Sequence, residues 1–314
     1  MAETQPLFVV GLGEVQWDVL PDGRQLGGAP ANVVYHAQAL GAKGVIASSV
    51  GQDSAGRELL DAMSQAGLSI GVVHLDAARP TAEVRIELDS HGTPTYEVPD
   101  LAAWDNLPFR TECVKLARKA DAICFGTLAS RNPDSRGCIL QFLESVMPGC
   151  LRVLDVNLRQ KVYSRTLIQD LLEHAEVLKL NEDELPVVSS LLNIGGSTKE
   201  RMESLMDKFA LGAVAVTRGA RGSVLMTPDH LEVHHGVRAE AVENTLGASD
   251  AFTATLVMGL LQGWPLGEIS ERANELASHV CTSRSSMPHR ASHARFAFEP
   301  AAELYPRLGQ FEYE

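Results

Sequence analysis

The strongest constraint on the fold is a repeated alternation of short apolar runs with helical patterns. The runs are PLFVVGL, VIASSV, DAICFGT, LRVLDVNL, AEVLKLN, GAVAVTRG and GSVLMTP. Strands apolar at successive positions need cover on both faces, so the pattern predicts a mostly parallel sheet sandwiched by helices. Between the runs, Val33, Ala37 and Leu40 share a helical face before Gly41, and Leu59 and Met63 do so before Gly67. Farther on, Phe252, Leu256, Val257, Leu260 and Leu261 recur at helical spacing, with Gly263 and Pro265 as the stop. The 314 residues suffice for one α/β domain carrying a smaller appendage.

Two stretches break the alternation. Residues 13–26 (GEVQWDVLPDGRQL) and about 81–105 (TAEVRIELDSHGTPTYEVPDLAAWD) read as strands and turns without helices. The second alternates apolar and polar residues around a turn at His91–Gly92. Both fit one small β-sheet projecting from the main domain, and the pattern leaves a lid and an ordinary edge meander equally open.

Composition removes several function classes. A net charge of -13 and a pI near 5.2 argue against a nucleic-acid partner, which needs a basic surface. The five cysteines (Cys113, Cys124, Cys138, Cys150, Cys281) form no C-x-x-C pair, so they support neither a disulfide framework nor a zinc site. The N-terminus lacks the basic flank and apolar run of a signal peptide, and no stretch approaches a transmembrane length, so a cytoplasmic protein without membrane partners is expected. His234–His235 and the pair His289 and His293 read as ordinary surface histidines.

The chemistry concentrates in VENTLGASDAF, residues 242–252, where small residues lead into a helix. The first N–H groups of a helix lack internal partners and carry partial positive charge, and small residues let a ligand approach them. Such a place suits an anion, with the Asp250 carboxylate beside it. Gly11–Gln16 (GLGEVQ) has two glycines of a dinucleotide fingerprint but Gln16 stands in place of the third, and no Walker-type G-x-x-x-x-G-K-[ST] occurs.

Several separate motifs together resemble the PfkB, or ribokinase-like, carbohydrate kinases. The first signature matches GGAPANVVYHAQALGAKGVIASSVGQDSAGREL from Gly27, and the second matches NTLGASDAF from Asn244. Between them stand DVNLR at Asp155–Arg159, NEDE at Asn181–Glu184 and VTRGARGS at Val216–Ser223, in family order and spacing. The resemblance spans nearly the whole chain. It implies a ribokinase-like three-layer α/β/α sandwich over residues 1–314, with a small β-sheet lid from about 13–26 and 81–105.

What the resemblance implies for the site follows motif by motif. Gly247, Ala248 and Ser249 would offer backbone N–H groups to the transferred γ-phosphoryl group, and Asp250 would deprotonate the acceptor hydroxyl, although a carboxylate at this position also offsets the helix dipole. On the acceptor side Asp18 and Asn32 are the candidates, with Gly27 and Gly28 allowing close approach; Asp18 also suits a turn before Pro21–Gly23. Arg159 is open between a substrate oxyanion, a nucleotide phosphate and a surface carboxylate. For the nucleotide the resemblance points to Asn181 and Glu184 near the phosphates and hydrated Mg2+, to Thr217, Gly219 and Gly222 beside the nucleoside, and to Asn274 in the adenine pocket. The glycines of TRGARGS equally suit a hairpin turn.

Two positions depart from the family's D-T-x-G-A-G-D: Asn244 replaces the first aspartate and Ser249 the second glycine, at the sixth position. In the family that aspartate belongs to a monovalent cation site beside the anion hole, and a neutral amide removes its charge. The expected function is an ATP-dependent, Mg2+-requiring sugar kinase. GEVQWDVLPDG, GGAPANV and AAWD resemble the fructokinase-like branch, which puts fructose first, another ketose, aldose or sugar acid next, and nucleosides behind. The alternative is a catalytically weakened sugar- or nucleotide-binding regulator. A homodimer paired through the lid is a further expectation from the family.

Overall fold

The computed structural model describes residues 6–88, 94–160, 162–239 and 241–297. The chain opens with β1 (Phe8–Leu12), turns outward into β2 (Gln16–Leu20) and β3 (Gly23–Gly27), and returns through α1 (Ala29–Ala39) to β4 (Lys43–Ala47) and β5 (Ser49–Gly51). Next come α2 (Ser54–Gln65), β6 (His74–Asp76), β7 (Glu83–Leu88), β8 (Pro94–Glu97) and α3 (Thr111–Ala117). Strands and helices then alternate through β9 (Ala122–Gly126), α4 (Pro133–Glu144), β10 (Leu151–Asp155), α5 (Arg165–Leu172) and β11 (Val177–Asn181). After α6 (Glu184–Leu191) and α7 (Thr198–Phe209), strands β12 (Ala213–Thr217), β13 (Ser223–Met226) and β14 (Leu231–His234) precede α8 (Ala248–Leu261) and α9 (Leu266–Cys281).

Eight strands make the central sheet in the order β14-β13-β12-β11-β10-β9-β1-β4, parallel from β4 to β12 and antiparallel beyond. Alternate residues of each strand enter opposite layers. Val9, Cys124, Val153, Val177 and Ala215 pack with α1, α8 and α9, whereas Val10, Phe125, Leu154, Leu178 and Val216 pack with α4 to α7. The expected three-layer sandwich is therefore present, and its cause is strand residues apolar on both faces. The chain order reverses at β1, which has β4 on one side and β9 on the other. The crevice outside the carboxyl ends of strands at such a switch point is where open α/β sheets receive ligands.

A second sheet, β3-β2-β7-β8, stands apart from the first; β2 and β7 run parallel and the outer pairs antiparallel. This is the expected small sheet, with a correction at its margin. Its strands end at Glu97, and the following Ala102 and Trp104 are buried in the main core, where Arg131 stacks on Trp104 and bonds both oxygens of Asp105 at 2.7 and 2.9 Å. A large buried indole and a paired buried carboxylate tie residues 102–105 to the body. The turn expected at His91–Gly92 lies outside the described residues. On the sheet's other margin, Trp17, Val19 and Leu26 pack with Val50 and Leu59 of the same chain, and the Trp17 indole donates to the Ala55 carbonyl at 3.0 Å. Among the described residues, the small sheet's strands present no large exposed apolar side chain to a partner.

One histidine reading is overturned. His293 is fully buried and meets the equally buried His36 at 2.9 Å between ring nitrogens. The short 3-10 segment Arg290–Phe296 folds back over α1 and carries it inward. Burial lowers both imidazoles, to about 3 for His36 and about 4 for His293, so they are neutral near pH 7.

Candidate active site

Helix α8 is buried from Asp250 to Leu261, and its N-terminus opens toward the crevice. Gly247 caps it with φ 77°, and a Cβ there would lie 2.7 Å from the Ser286 carbonyl oxygen, so only glycine fits. The Ala248 N–H reaches the Thr245 carbonyl only at 3.4 Å. Asp250 stands in the first turn, and its Oδ2 accepts from the Asn32 amide at 2.7 Å. Asn32 therefore holds the carboxylate directly. Burial first, then the nearby Asp155 charge, pushes Asp250 up to about 6, while Asn32, Lys179 and Arg159 pull it down.

Behind this helix end lies a buried ring of charge that sequence reasoning missed. Lys179 of β11 is opposite Asp155 of β10 across the parallel ladder, and its Nζ donates to the two carboxylate oxygens at 3.0 and 3.1 Å. It donates also to Ser249 Oγ. The Thr253 hydroxyl lies 2.8 Å from Asp155 Oδ2 and 3.0 Å from the Ser249 carbonyl, which closes the ring. A lysine inside the apolar run AEVLKLN was the available signal, since an ammonium in a strand covered on both faces demands a buried partner.

On the acceptor side Asp18 projects from β2, where the Gln16 amide donates to its Oδ1 at 2.9 Å. Gly27 lies beside it on β3, and a Cβ there would fall 2.1 Å from Asp18 Oδ2. Asp18 is thus a strand residue whose carboxylate fills the space Gly27 leaves. Its pKa is raised to about 6 by burial, opposed by Gln16. Gly28 caps α1 next to the Glu14 carbonyl. Arg159 settles against the face of Tyr96 from β8, 3.9 Å from the ring centroid, so it joins the body to the small sheet. It also stabilises the ionised forms of Glu14, Asp18 and Asp250, which makes it the cation of this pocket and not a partner of a surface carboxylate.

Glu14 is a further acidic group that the motifs did not reveal. It lies just beyond β1, after Gly13, lines a narrow cavity with Thr127, Asp155 and Asn157, and is buried with Oε2 unpartnered by protein. Gln16 Oε1 is likewise buried and unpartnered by protein. Desolvation dominates at Glu14 and lifts it to about 7, against its own backbone N–H and Arg159. Tyr96, the other residue missed, carried no signal beyond its place in the small sheet.

The remaining candidates gather at the carboxyl ends of β11 and β12. Asn181 and Thr217 are ladder neighbours. Asn181 Oδ1 caps α6 by accepting from the N–H groups of Asp183 and Glu184, both at 2.9 Å. Glu184 spends one oxygen on the Leu158 N–H at 2.7 Å and the other on the Asn181 N–H at 2.8 Å, binding the DVNLR loop to the NEDE motif. This suits contact with a cation through water better than direct ligation, and among the described residues no three His, Cys, Asp or Glu side chains cluster as metal ligands. Gly219 and Gly222 flank the short turn of the β12–β13 hairpin, so the turn reading of TRGARGS holds structurally. Asn274 is buried under this hairpin and donates to Ser223 Oγ at 2.8 Å and the Ser270 carbonyl at 2.7 Å.

This constellation has known counterparts. The sequence profile described as pfkB family carbohydrate kinase matches residues 14–291. The chain belongs to the pfkB family of carbohydrate kinases. It is therefore a phosphotransferase with a sugar hydroxyl as acceptor. A fructokinase of Klebsiella pneumoniae is 29% identical over 260 residues, 79% of this chain and 83% of the relative. The structure of a Xylella fastidiosa fructokinase with bound ATP superposes with a TM-score of 0.79 at 18% identity, covering 92% of this chain and 97% of that one. That of a Vibrio cholerae fructokinase double mutant, in a fructose, ADP and potassium ion bound form, gives 0.77 at 23%, covering 93% and 98%. Among the described residues no helix is long and apolar enough to cross a membrane.

Against the pfkB pattern, Asn244 does not fit a monovalent cation. Its amide nitrogen donates to the carbonyls of Ser283 at 3.1 Å and Arg284 at 3.0 Å, and its Oδ1 accepts from the Leu246 N–H at 2.8 Å. The two N–H bonds give those carbonyls the positive partner that a cation would otherwise supply; a carboxylate could not. Turnover at constant ionic strength should accordingly change less than about twofold when Na+ replaces K+, and thermal melting of Asn244→Asp should become K+-dependent while that of the parent does not. A large K+ activation of the parent protein would overturn this account.

The Glu14 carboxyl also links pH to stability. Its folded pKa, about 7, lies above the ordinary 4.5, so the folded state is not penalised below that ordinary value and loses stability as pH rises toward the folded one. Glu14→Gln should raise the Tm by roughly 2–5 °C at about pH 8 and leave it nearly unchanged at about pH 4. Equal shifts at both pH values would show that Glu14 stays neutral or pairs fully.

Proposed function

We propose that this pfkB member is an ATP-dependent kinase of a monosaccharide, with fructose the first acceptor to test. The observation that carries the reading is the position of Asp250, between an N-terminal helix cradle and a buried acceptor pocket holding Asp18, Asn32 and Arg159. The fructokinase relative and the ATP-bound fructokinase structure support the choice of sugar and nucleotide. No described residue favours the binding-only alternative.

In this reading Asp250 takes the proton of the acceptor hydroxyl as that oxygen bonds the γ-phosphorus, and the bond from the γ-phosphorus to the bridging oxygen breaks to release ADP. Gly247, Ala248 and Ser249 place N–H groups at the γ-phosphoryl oxygens, where charge stabilisation governs the barrier. The Asn32 amide fixes one Asp250 oxygen and leaves the other for the acceptor. Asp18 and Gln16 accept from neighbouring sugar hydroxyls, and the Arg159–Tyr96 stack holds the small sheet over them as a lid that excludes water. Asn181 and Glu184 border the phosphates, and Thr217, Gly219, Gly222 and Asn274 border the nucleoside. Mg2+ bound to the nucleotide phosphates would neutralise their charge, with Glu184 meeting it through water.

Two substitutions separate the parts. Asp250→Asn should keep ATP affinity and lose at least about a hundredfold in kcat, read by coupled ADP release with fructose and a panel of other sugars. Turnover near that of the parent would remove Asp250 from the chemistry. Asp18→Ala should raise the sugar KM about 10- to 100-fold with the ATP KM unchanged. A change confined to the ATP KM would move Asp18 to the nucleotide side.

A further inference from the structure

The Lys179 ammonium, 1% exposed, points all its observed hydrogen bonds at two side chains, Asp155 and Ser249. An ammonium has no acceptor site, so Ser249 Oγ must be the acceptor and its own hydrogen is left to be donated elsewhere. Ser249 is exposed in the first turn of α8, between Ala248 and Asp250, and among the described residues its hydroxyl donates to no protein acceptor. A hydroxyl that accepts from a cation is polarised and becomes a stronger donor. The family's usual glycine has no side chain to play this part.

We propose that the Ser249 hydroxyl is a catalytic donor to the transferring phosphoryl group, and that Asp155 and Lys179 are positioning residues that orient and polarise it. Asp155 holds Lys179 through both oxygens, and the Thr253 hydroxyl, one turn farther along α8, shares its single hydrogen between Asp155 and the Ser249 carbonyl. The ring places the ammonium one hydrogen bond behind the cradle; Asp155 balances its charge, so it acts on Ser249 through the hydrogen bond it donates. No bond is made or broken at Ser249; it donates a hydrogen bond that strengthens as negative charge builds on a non-bridging γ-oxygen. The assignment rests on phosphoryl transfer occurring at this cradle.

The test uses the full chain with fructose, or with the best acceptor of the sugar panel. Ser249→Ala and Ser249→Gly should lower kcat about 10- to 100-fold with the sugar KM within about twofold, and Ser249→Thr should recover most of the rate. With ATPγS in place of ATP, the rate ratio of the two nucleotides should shrink several-fold in Ser249→Ala, which a merely structural role would not do. Binding of ADP with aluminium fluoride should weaken in Ser249→Ala by more than binding of a non-hydrolysable ATP analogue, a readout that requires no turnover. Lys179→Met with Asp155→Leu removes the pair without stranding a charge; it should cost about as much as Ser249→Ala and add less than about twofold to it. Unchanged kcat in Ser249→Ala, or equal weakening of both analogues, would overturn the proposal. If Asp250→Asn is inactive while Ser249→Ala equals the parent, this inference fails alone; if Asp250→Asn retains full turnover, the reading beneath it fails.

Discussion

The site depends on the burial of α8. A helix with apolar residues on every side has to be enclosed, and here the sheet, α1 and α9 enclose it. The sheet makes room with small residues on the facing side, Ala122, Cys124, Ala213 and Ala215 among them. An enclosed helix can meet solvent only at an end, and the N-terminal end lies at the crevice where the strand order reverses. Its unpaired N–H groups and partial positive charge are thereby fixed at the place the topology leaves open for a ligand.

Once that end is fixed, the electrostatics follow from burial. Glu14, Asp18, Asp155 and Asp250 are all buried around it, with Lys179 and Arg159 as the cations whose charge acts on them. Burial first, and then the charge of a neighbouring carboxylate, lifts the protonation of Glu14, Asp18 and Asp250, while Lys179 is committed to Asp155. Such a pocket is costly to ionise without a ligand. Sugar hydroxyls would supply the missing donors, and they suit Glu14 Oε2 and Gln16 Oε1, which are buried without a protein partner.

The layers and the cradle were legible because both arise from short-range rules. Strands apolar at successive positions announce a covered sheet, and a glycine with small residues before an apolar helix announces an open helix end. Lys179 and Glu14 were harder, since their meaning lies in which strand pairs with which: Lys179 becomes intelligible only beside Asp155 on the neighbouring strand. Tyr96 and the burial of His293 were not legible at all. Each depends on a contact across more than fifty residues of chain, Tyr96 with Arg159 and His293 with His36, and neither leaves a local pattern. The margin of the small sheet was misread because Ala102 and Trp104 continue a strand-like apolar pattern past the last strand, in a segment that Arg131 ties to the body through Asp105.

The two departures from the family motif are each absorbed by their surroundings. Asn244 differs from an aspartate by having N–H groups to give, and two carbonyls take them. Ser249 differs from a glycine by one hydroxyl, and the free donor of a buried lysine takes that oxygen. A motif drifting without selection for its chemistry would strand polar groups in the core, since each substitution would create a donor or acceptor with no counterpart. At the buried Asn244 the opposite holds; Ser249 is exposed, with its oxygen bonded to Lys179, and Gly247, Ala248 and Asp250 keep their places in the motif. Each altered residue is thus hydrogen-bonded within the fold, Asn244 through the carbonyls of Ser283 and Arg284 and Ser249 through Lys179, and the N-terminus of α8 keeps its form around them.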